Sequence, residues 1–177
     1  MTDHAIIQEV QAGDTEAYAR LVDRHYDRCI RIALRILGNR EDAEEATQDA
    51  FLRAFRALGG YEDRERFSPW LTRILVNQCR TMLARVQRRE AVFSDLALAD
   101  AELFTDLEAP EESWPDLQRA LAQLPPDQRE AIVLRYADDL TYDEMARVTG
   151  AGASALKMRV QRAFARLRVL LPEVSSV

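Results

Sequence analysis

The sequence predicts an all-α protein with two small helical domains joined by an acidic linker. Apolar residues recur at helical spacing along most of the chain, and no stretch alternates as a β-strand would. Charge also falls into blocks: residues 1–90 hold fifteen basic and fifteen acidic side chains, residues 91–116 hold eight acids and no base, and residues 117–177 hold nine bases and seven acids. Because an acidic block is typical of a connector, we expect domains over residues 1–90 and 114–177 and a linker over 91–113.

The composition is that of a globular protein. At 177 residues with 47% hydrophobic content, the chain is long enough to bury a core. It has no apolar run of about 18 residues, and its first residues lack the regions of a signal peptide. Cys29 and Cys79 lie far apart within apolar helical patterns, which is typical of reduced core cysteines. We therefore expect a cytoplasmic protein with no membrane insertion, cofactor or metal.

Capping residues divide the first domain into three predicted helices. A side-chain oxygen at the start and a left-handed glycine at the end are common bounds of a helix, and proline fits the first turn. The bounds are Asp14 and Gly38 for the first helix, Asn39 and Gly59-Gly60 for the second, and Ser68-Pro69 at the start of the third. The inward stripe of the third helix is predicted to extend to Val86.

The outward face of the second helix combines charged side chains with two apolar ones. Leu52 and Phe55 lie among acids and an arginine, and apolar side chains inside a charged face indicate a docked partner. The alternative is that both side chains pack beneath the following loop. The candidate binding residues on this face are Asp42, Glu45, Gln48, Asp49, Leu52, Phe55 and Arg56.

The third helix carries a basic face. Residues 66–89 contain six arginines and no acid. Trp70, Arg73, Asn77 and Arg80 share the face opposite the apolar stripe. Arginines beside an aromatic ring and an amide fit a nucleic-acid strand, because they supply phosphate pairing, stacking and hydrogen bonds to base edges.

The second domain contains a predicted helix-turn-helix. Thr141 and Glu144 have the spacing of a capping box, so a short helix begins there and Gly150 ends it. A tight turn of small residues around Gly152 leads to a longer helix. From Met145 to Pro172 the chain has six Lys or Arg and no acid. This geometry is typical of motifs that place the second helix in the major groove of DNA.

The longer helix, residues 154–171, separates into two faces. Its apolar arc includes Leu156, Val160 and Phe164, which we expect to face a core. On the opposite face, Gln161 and Arg162 are suited to read adenine and guanine, and the surrounding cations to neutralise phosphates. The alternative is a solvated basic surface helix, but the capped helix before it, the glycine turn and the lack of acids favour DNA.

Residues with catalytic potential are sparse. The chain has two histidines, His4 and His25, and it lacks a His-Glu-x-x-His motif, a glycine-rich phosphate loop and a Cys-x-x-Cys pair. His25 is interpreted as a packing or capping residue. The sequence therefore predicts a binding protein with no catalytic site of its own.

Several segments resemble a known family. Residues 42–51, Asp-Ala-Glu-Glu-Ala-Thr-Gln-Asp-Ala-Phe, with Trp70-Leu71 and Asn77, resemble the second conserved region of bacterial RNA polymerase sigma factors. Residues 124–130, 141–150 and 157–163 resemble the fourth region. Because the first and third regions are missing from this pattern, the chain is similar to the extracytoplasmic-function, or group IV, sigma factors.

This resemblance implies a sigma factor that binds core RNA polymerase and directs promoter recognition, DNA melting and transcription initiation. The outward face of the second helix would dock on the clamp helices of the beta-prime subunit, and the fourth region on the beta flap. The acidic linker would follow the RNA exit path. An anti-sigma factor is a further implied partner.

The resemblance also implies two DNA-binding surfaces. The loop over residues 59–67 and the helix after it would capture a flipped base of the downstream promoter element. The candidates there are Tyr61, Arg64, Arg66, Trp70, Arg73, Asn77 and Arg80. The helix-turn-helix would read the upstream element. The candidates there are Thr141, Tyr142, Ser154, Lys157, Met158, Arg159, Gln161, Arg162 and Arg166.

Two other functions fit parts of the pattern. An autonomous helix-turn-helix regulator would bind operator DNA as a dimer, without polymerase. A sigma-like decoy would bind an anti-sigma protein and no DNA. The six cations after Met145 argue against the decoy, since a protein mimic has no need to attract phosphates.

Overall fold

The computed structural model describes residues 2–62, 66–93 and 115–171. Within these ranges the chain forms α-helices joined by short turns and contains no β-strand, so the predicted all-α fold is confirmed. The helices are α1 (Asp3–Gln11), α2 (Tyr18–Leu37), α3 (Arg40–Ala57), α4 (Phe67–Phe93), α5 (Pro115–Ala122), α6 (Pro126–Tyr136), α7 (Tyr142–Thr149) and α8 (Ala153–Leu170). Short 3₁₀ turns, Thr15–Ala17 and Leu58–Gly60, precede α2 and follow α3.

The first unit consists of α1 to α4, and its helix ends largely follow the predicted caps. Asn39 caps α3, where its side-chain oxygen accepts a hydrogen bond of 2.8 Å from the backbone N–H of Asp42. Gly38 ends α2 with φ of 84°, in the left-handed region that favours glycine. Asp14 caps the 3₁₀ turn that leads into α2, with its carboxylate 3.2 Å from the backbone nitrogen of Ala17. The long helix therefore begins a turn later than predicted.

The N-terminal helix α1 has no counterpart in the sequence-based prediction. Its nine residues are too few to give a clear apolar stripe. The Thr2 hydroxyl caps it by accepting from Ala5 N, and Ile6 and Ile7 bury its inner face. The helix completes the first unit by packing on α2 and on the 3₁₀ turn after α3.

Both ends of α4 differ from the prediction. The helix begins at Phe67, so Ser68 and Pro69 lie within its first turn and Ser68 is not the N-cap. It continues to Phe93, so residues 91–93, predicted as linker, are helical, and residues 94–113 lie outside the described residues. Val86, predicted to face inward, is exposed because α4 has passed the end of the bundle there: residues 85–88 are all exposed.

The second unit consists of α5 to α8, with α8 packed mainly on α6 and α7. The predicted capping box is present: Thr141 N donates to Glu144 Oε2 at 2.9 Å, and Glu144 N donates to the Thr141 hydroxyl at 3.3 Å. Gly150 ends α7 with φ of 74°. Phe164, predicted in the core, is 38% exposed. Its ring packs edge-on against the exposed Tyr136 at the end of α6, with 5.1 Å between the ring centroids, and so covers a surface side chain instead of entering the core.

The two units pack against each other. Helix α2 of the first unit contacts α5 and α6, and α4 contacts α7. Cys29 and Cys79 are free thiols in the buried core, as predicted, and burial raises the pKa of each to about 12. Of the helices described, none combines the length and apolar character needed to cross a membrane.

Candidate functional site

A groove of about 530 Å³ opens between α2 and α3. Leu52 is 53% exposed and Phe55 is 38% exposed, so neither is buried beneath the following loop. Both line the groove together with Gln48. The opposite wall comes from α2 and includes Tyr18, Val22 and Tyr26. The groove thus joins predicted binding residues of α3 to α2 residues that the sequence analysis did not assign to any site.

The sequence analysis did not identify the α2 wall of the groove, because the contacts of Tyr18 are with residues of another helix. The Tyr18 hydroxyl donates to the carbonyl oxygen of Phe51 at 2.7 Å, and its ring centroid lies 4.9 Å from that of Phe55. Burial raises the pKa of Tyr18, so the phenol stays a neutral donor. The available signal was the tyrosine itself, since the hydroxyl of a partly buried tyrosine needs a polar partner or water.

Of the polar candidates on α3, only Gln48 lines this groove. Glu45, Gln48, Asp49 and Arg56 are exposed. Asp42 is half-buried and also belongs to the start of the helix, because the Asn39 amide donates to its carboxylate at 2.7 Å.

An aromatic cluster forms the base of the loop between α3 and α4. The ring centroids of Tyr61 and Trp70 are 4.8 Å apart, those of Tyr61 and Phe67 6.1 Å, and those of Phe67 and Trp70 5.6 Å. Tyr61 is buried and Trp70 half-buried, so Tyr61 packs within the protein whereas Trp70 remains partly accessible to solvent. Arg66 is exposed beside the cluster, and Arg64 lies outside the described residues.

Gln11 holds the start of this loop, and the sequence analysis missed it. Its side-chain amide donates to the carbonyl oxygens of Leu58 at 2.9 Å and Tyr61 at 3.0 Å. One side chain of α1 thereby fixes both ends of the 3₁₀ turn from which the loop departs. No local sequence pattern links positions so far apart.

The basic face of α4 is divided between solvent and the second unit. Arg73 and Asn77 are exposed. Arg80 instead pairs with Glu130 of α6 through two hydrogen bonds of 2.7 Å, from Nε and Nη2 to the two carboxylate oxygens. Its third nitrogen, Nη1, donates to the carbonyl oxygen of Thr149 at 3.1 Å. The Glu130 carboxylate raises the pKa of Arg80.

A second ion pair joins the units nearby. Arg28 of α2 pairs through Nε with Asp138, in the turn after α6, and donates to the Thr72 hydroxyl at 3.0 Å. The Asp138 side chain is only 1% exposed. Burial raises the pKa of Asp138 and outweighs the opposing effect of the Arg28 charge.

The outer face of α8 presents the predicted reading residues. Ser154, Lys157, Met158, Gln161, Arg162 and Arg166 are exposed on it. Leu156, Val160, Ala163 and Leu167 are buried on the opposite side. Arg159 is half-buried and pairs with Asp127 of α6 at 3.4 Å.

The first helix of the motif contributes two further candidates. Thr141 is exposed at the start of α7. Tyr142 is half-buried beneath the guanidinium of Arg135, 5.7 Å from its ring centroid, a cation–π contact. The helix-turn-helix therefore presents one basic face together with the beginning of α7.

Among the residues described, no group of three or more His, Cys, Asp or Glu is arranged to hold a metal ion. His25 is buried as a packing residue: its Nε2 lies 2.9 Å from Asp3 and its ring contacts Phe67. Burial lowers the pKa of His25.

Comparison with known proteins identifies both units. Residues 21–89 match Sigma-70 region 2, and residues 115–167 match Sigma-70 region 4. The chain is 30% identical over 173 residues to the RNA polymerase sigma-H factor of Pseudomonas aeruginosa, covering 91% of this chain and 89% of that protein. It is 35% identical over 170 residues to the ECF RNA polymerase sigma factor SigM of Mycobacterium tuberculosis, covering 96% and 85%.

The fold is similar to that of a solved sigma factor. The structure of RpoE from Bartonella quintana, determined in complex with the anti-sigma factor NepR, superimposes with a TM-score of 0.74. The two chains are 26% identical, and the match covers 88% of this chain and 97% of RpoE.

Proposed function

This chain belongs to the extracytoplasmic-function family of RNA polymerase sigma factors, which direct transcription initiation at specific promoters, and we propose on this basis which surfaces bind polymerase and which bind promoter DNA. The first unit, α1 to α4, binds core polymerase and the downstream promoter element. The second unit, α5 to α8, binds the upstream element. The acidic linker between α4 and α5 follows the RNA exit path.

The polymerase-binding surface consists of the groove between α2 and α3 and the charged side chains of α3. Leu52 and Phe55 supply exposed apolar area inside a polar face, the composition expected of a protein interface. Gln48 and the aromatic wall of α2 extend the same groove. A helical partner fits this shape, and we assign it to the beta-prime clamp helices. The second unit contacts the beta flap.

The upstream element is read by α8. Gln161 and Arg162 lie on its exposed face, between cations that can contact phosphates on either side. Arg is suited to guanine and Gln to adenine in the major groove. The observation that carries the DNA-binding proposal is the exposed basic face of α8, which lies opposite the buried side chains of Leu156, Val160, Ala163 and Leu167.

The downstream element is held as a single strand by α4 and the loop before it. Trp70 keeps part of its indole exposed beside Arg66, Arg73 and Asn77. These groups offer stacking, phosphate pairing and base-edge hydrogen bonds to an unpaired strand. Arg80 joins them when the two units separate.

Three further properties follow from this assignment. The chain has no catalytic site of its own, because the chemistry belongs to the polymerase. It acts in the cytoplasm, where core polymerase and promoter DNA are found. It also binds an anti-sigma protein, a proposal supported by the similarity to RpoE, whose structure contains one.

Run-off transcription with purified core polymerase on a pool of promoters tests this function. We expect start sites that share two sequence elements and that require both the chain and the core enzyme. Permanganate footprinting should detect melted DNA with the holoenzyme and none with the chain alone. Strong sequence-specific binding of duplex DNA by the chain alone, with no effect on the polymerase, would instead support an autonomous regulator.

A further inference from the structure

Arginines and buried acids hold the two units of the free chain together. Arg80 meets Glu130, and Arg28 meets Asp138, in each case a cation of the first unit and an acid of the second. A further contact has its cation in the second unit: Arg129 Nη1 donates to the carbonyl oxygen of Ile36, near the end of α2 in the first unit, at 2.9 Å. We call the first two contacts the inter-unit ion pairs.

Both acids depend on these contacts. Glu130 is 5% exposed, and the side chain of Asp138 is almost completely buried. A carboxylate removed from water is costly unless it is paired and hydrogen-bonded. Each carboxylate therefore has its partner in one of two states. In the closed arrangement the partner is an arginine, and after the units separate it is water.

This chemistry makes closure reversible. The attraction within a buried ion pair is largely cancelled by the loss of hydration of its two charges, so such pairs specify an arrangement more than they stabilise it. A partner that binds the separated units needs only a modest difference in affinity to open them. The ion pairs thus specify one closed arrangement without making it permanent.

Closure also occupies the strand-binding face of α4. Arg80 lies on the same face as the exposed Arg73 and Asn77, and Glu130 engages it with both carboxylate oxygens. A bidentate carboxylate uses the same guanidinium geometry as a phosphate. Helix α7 packs on α4 at this place, and its Thr149 carbonyl accepts the remaining Arg80 contact.

We propose that Glu130 and Asp138 form an intrachain lock, in which Glu130 takes the position of a promoter phosphate on Arg80 and keeps the free protein closed. Separation of the units releases Arg80 to the downstream strand. The closed state is a property of this chain alone, whereas the role of the released Arg80 rests on the proposed function.

The distance between the units in the full-length chain tests the lock directly. Spin labels or fluorophores are placed at Glu41→Cys and Arg168→Cys, exposed positions on α3 and α8. The native Cys29 and Cys79 are buried with raised pKa values and should not be labelled. We expect one short distance in the wild type and a second, longer population in Glu130→Gln and Asp138→Asn, with the open fraction raised roughly tenfold or more.

Asp127→Asn is the matched control, because Asp127 is an exposed acid of the same helix α6 whose partner, Arg159, belongs to the same unit. It should keep the wild-type distance. Circular dichroism identifies variants that fail to fold, and the two lock variants each remove a different ion pair between the units. Unchanged distances in both folded lock variants would overturn the proposal.

Binding of a single-stranded downstream-element oligonucleotide to the chain alone gives the second readout. Glu130→Gln should bind it more tightly than the wild type by several-fold, and the gain should vanish in Arg80→Ala/Glu130→Gln. Opening of the units without a gain in strand binding would retain the lock and reject the assigned role of Arg80. The distance measurement therefore tests the closed state, whereas strand binding tests the role of Arg80 that rests on the proposed function.

Discussion

The side-chain amide of Gln11 donates a hydrogen bond of 3.0 Å to the backbone carbonyl of Tyr61, fifty positions later in the chain. The same nitrogen donates to Leu58 at 2.9 Å, so α1 holds the point where the loop leaves the bundle. The aromatic ring of Tyr61 is meanwhile fixed against Trp70. An N-terminal helix outside the matched region 2 segment thus positions the start of the candidate strand-capture loop.

Gln11→Ala should therefore weaken both the fold and promoter opening. Two backbone carbonyls lose their donor, which should lower the free energy of unfolding by about 1 to 2 kcal/mol. Open-complex formation should fall more than holoenzyme assembly, because the loop start relaxes while the polymerase groove is untouched. Urea unfolding and a permanganate assay measure the two effects. Gln8→Ala, an exposed glutamine of the same helix, is the control; equal behaviour of the two variants would contradict the assignment.

Leu52→Asp should reduce affinity for core polymerase and leave the fold intact. The side chain is more than half exposed, so a carboxylate there remains hydrated in the free protein but is desolvated in a docked complex. A loss of about 2 kcal/mol, or roughly thirtyfold in Kd, is typical of an interface hot spot. Fluorescence anisotropy with labelled chain measures the affinity, and thermal unfolding checks the fold.

Arg53→Ala provides the comparison for Leu52, since it changes an exposed neighbour on α3 that does not line the groove. Its affinity should match the wild type. A Leu52→Asp variant that binds polymerase normally would remove this groove from the interface, and one that unfolds would show that Leu52 belongs to the core.

Much of the fold was predictable because single residues decide where helices end. Asn39 supplies a side-chain acceptor and Gly38 a left-handed φ, and both effects are local to a few residues. The two faces of α8 were predictable for a similar reason, since a period of 3.6 residues separates them. Phe164 is the exception, because its ring packs on the exposed Tyr136 of α6, a contact that the periodicity of α8 does not predict.

The contacts between distant segments were not predictable in this way. The sequence analysis placed Arg80 with the DNA-binding residues, whereas in the free chain it pairs with Glu130, fifty positions away. Neither residue carries a local signal for the other, and an arginine on a basic face fits both settings. Tyr61 was likewise chosen for an exposed role, and its burial follows from the packing of Phe67 and Trp70 around it.

Arg162→Ala should relax the choice of base at one position of the upstream element. Loss of a bidentate contact to a base edge should cost about 1 to 3 kcal/mol at the preferred sequence and much less elsewhere. Transcription from a randomised upstream element, read by sequencing, measures this preference. Arg168→Ala removes the same charge from the last turn of α8 and should leave the preference unchanged. Identical profiles for wild type and Arg162→Ala would exclude Arg162 from base reading.

The capping box of α7 should make the second unit sensitive to acid. Hydrogen bonds from the backbone and hydroxyl of Thr141 lower the pKa of Glu144 below its usual 4.5. The folded state therefore favours the carboxylate, so the stabilisation is fully present above pH 4.5 and is lost as the pH falls through the lowered folded value. Thr141→Ala should cost about 1 kcal/mol at neutral pH as a lost N-cap.

Urea unfolding between pH 7 and pH 3 checks the direction of this effect. Glu144→Gln should be less stable than the wild type at neutral pH, and the difference should shrink as the pH falls below 4.5, because the wild-type carboxylate is then protonated too. Asp143→Asn removes the neighbouring acid without touching the capping bonds and should not reproduce this convergence. A difference between Glu144→Gln and wild type that stays constant with pH would mean that hydrogen-bond geometry, and not the charge of Glu144, stabilises the start of α7.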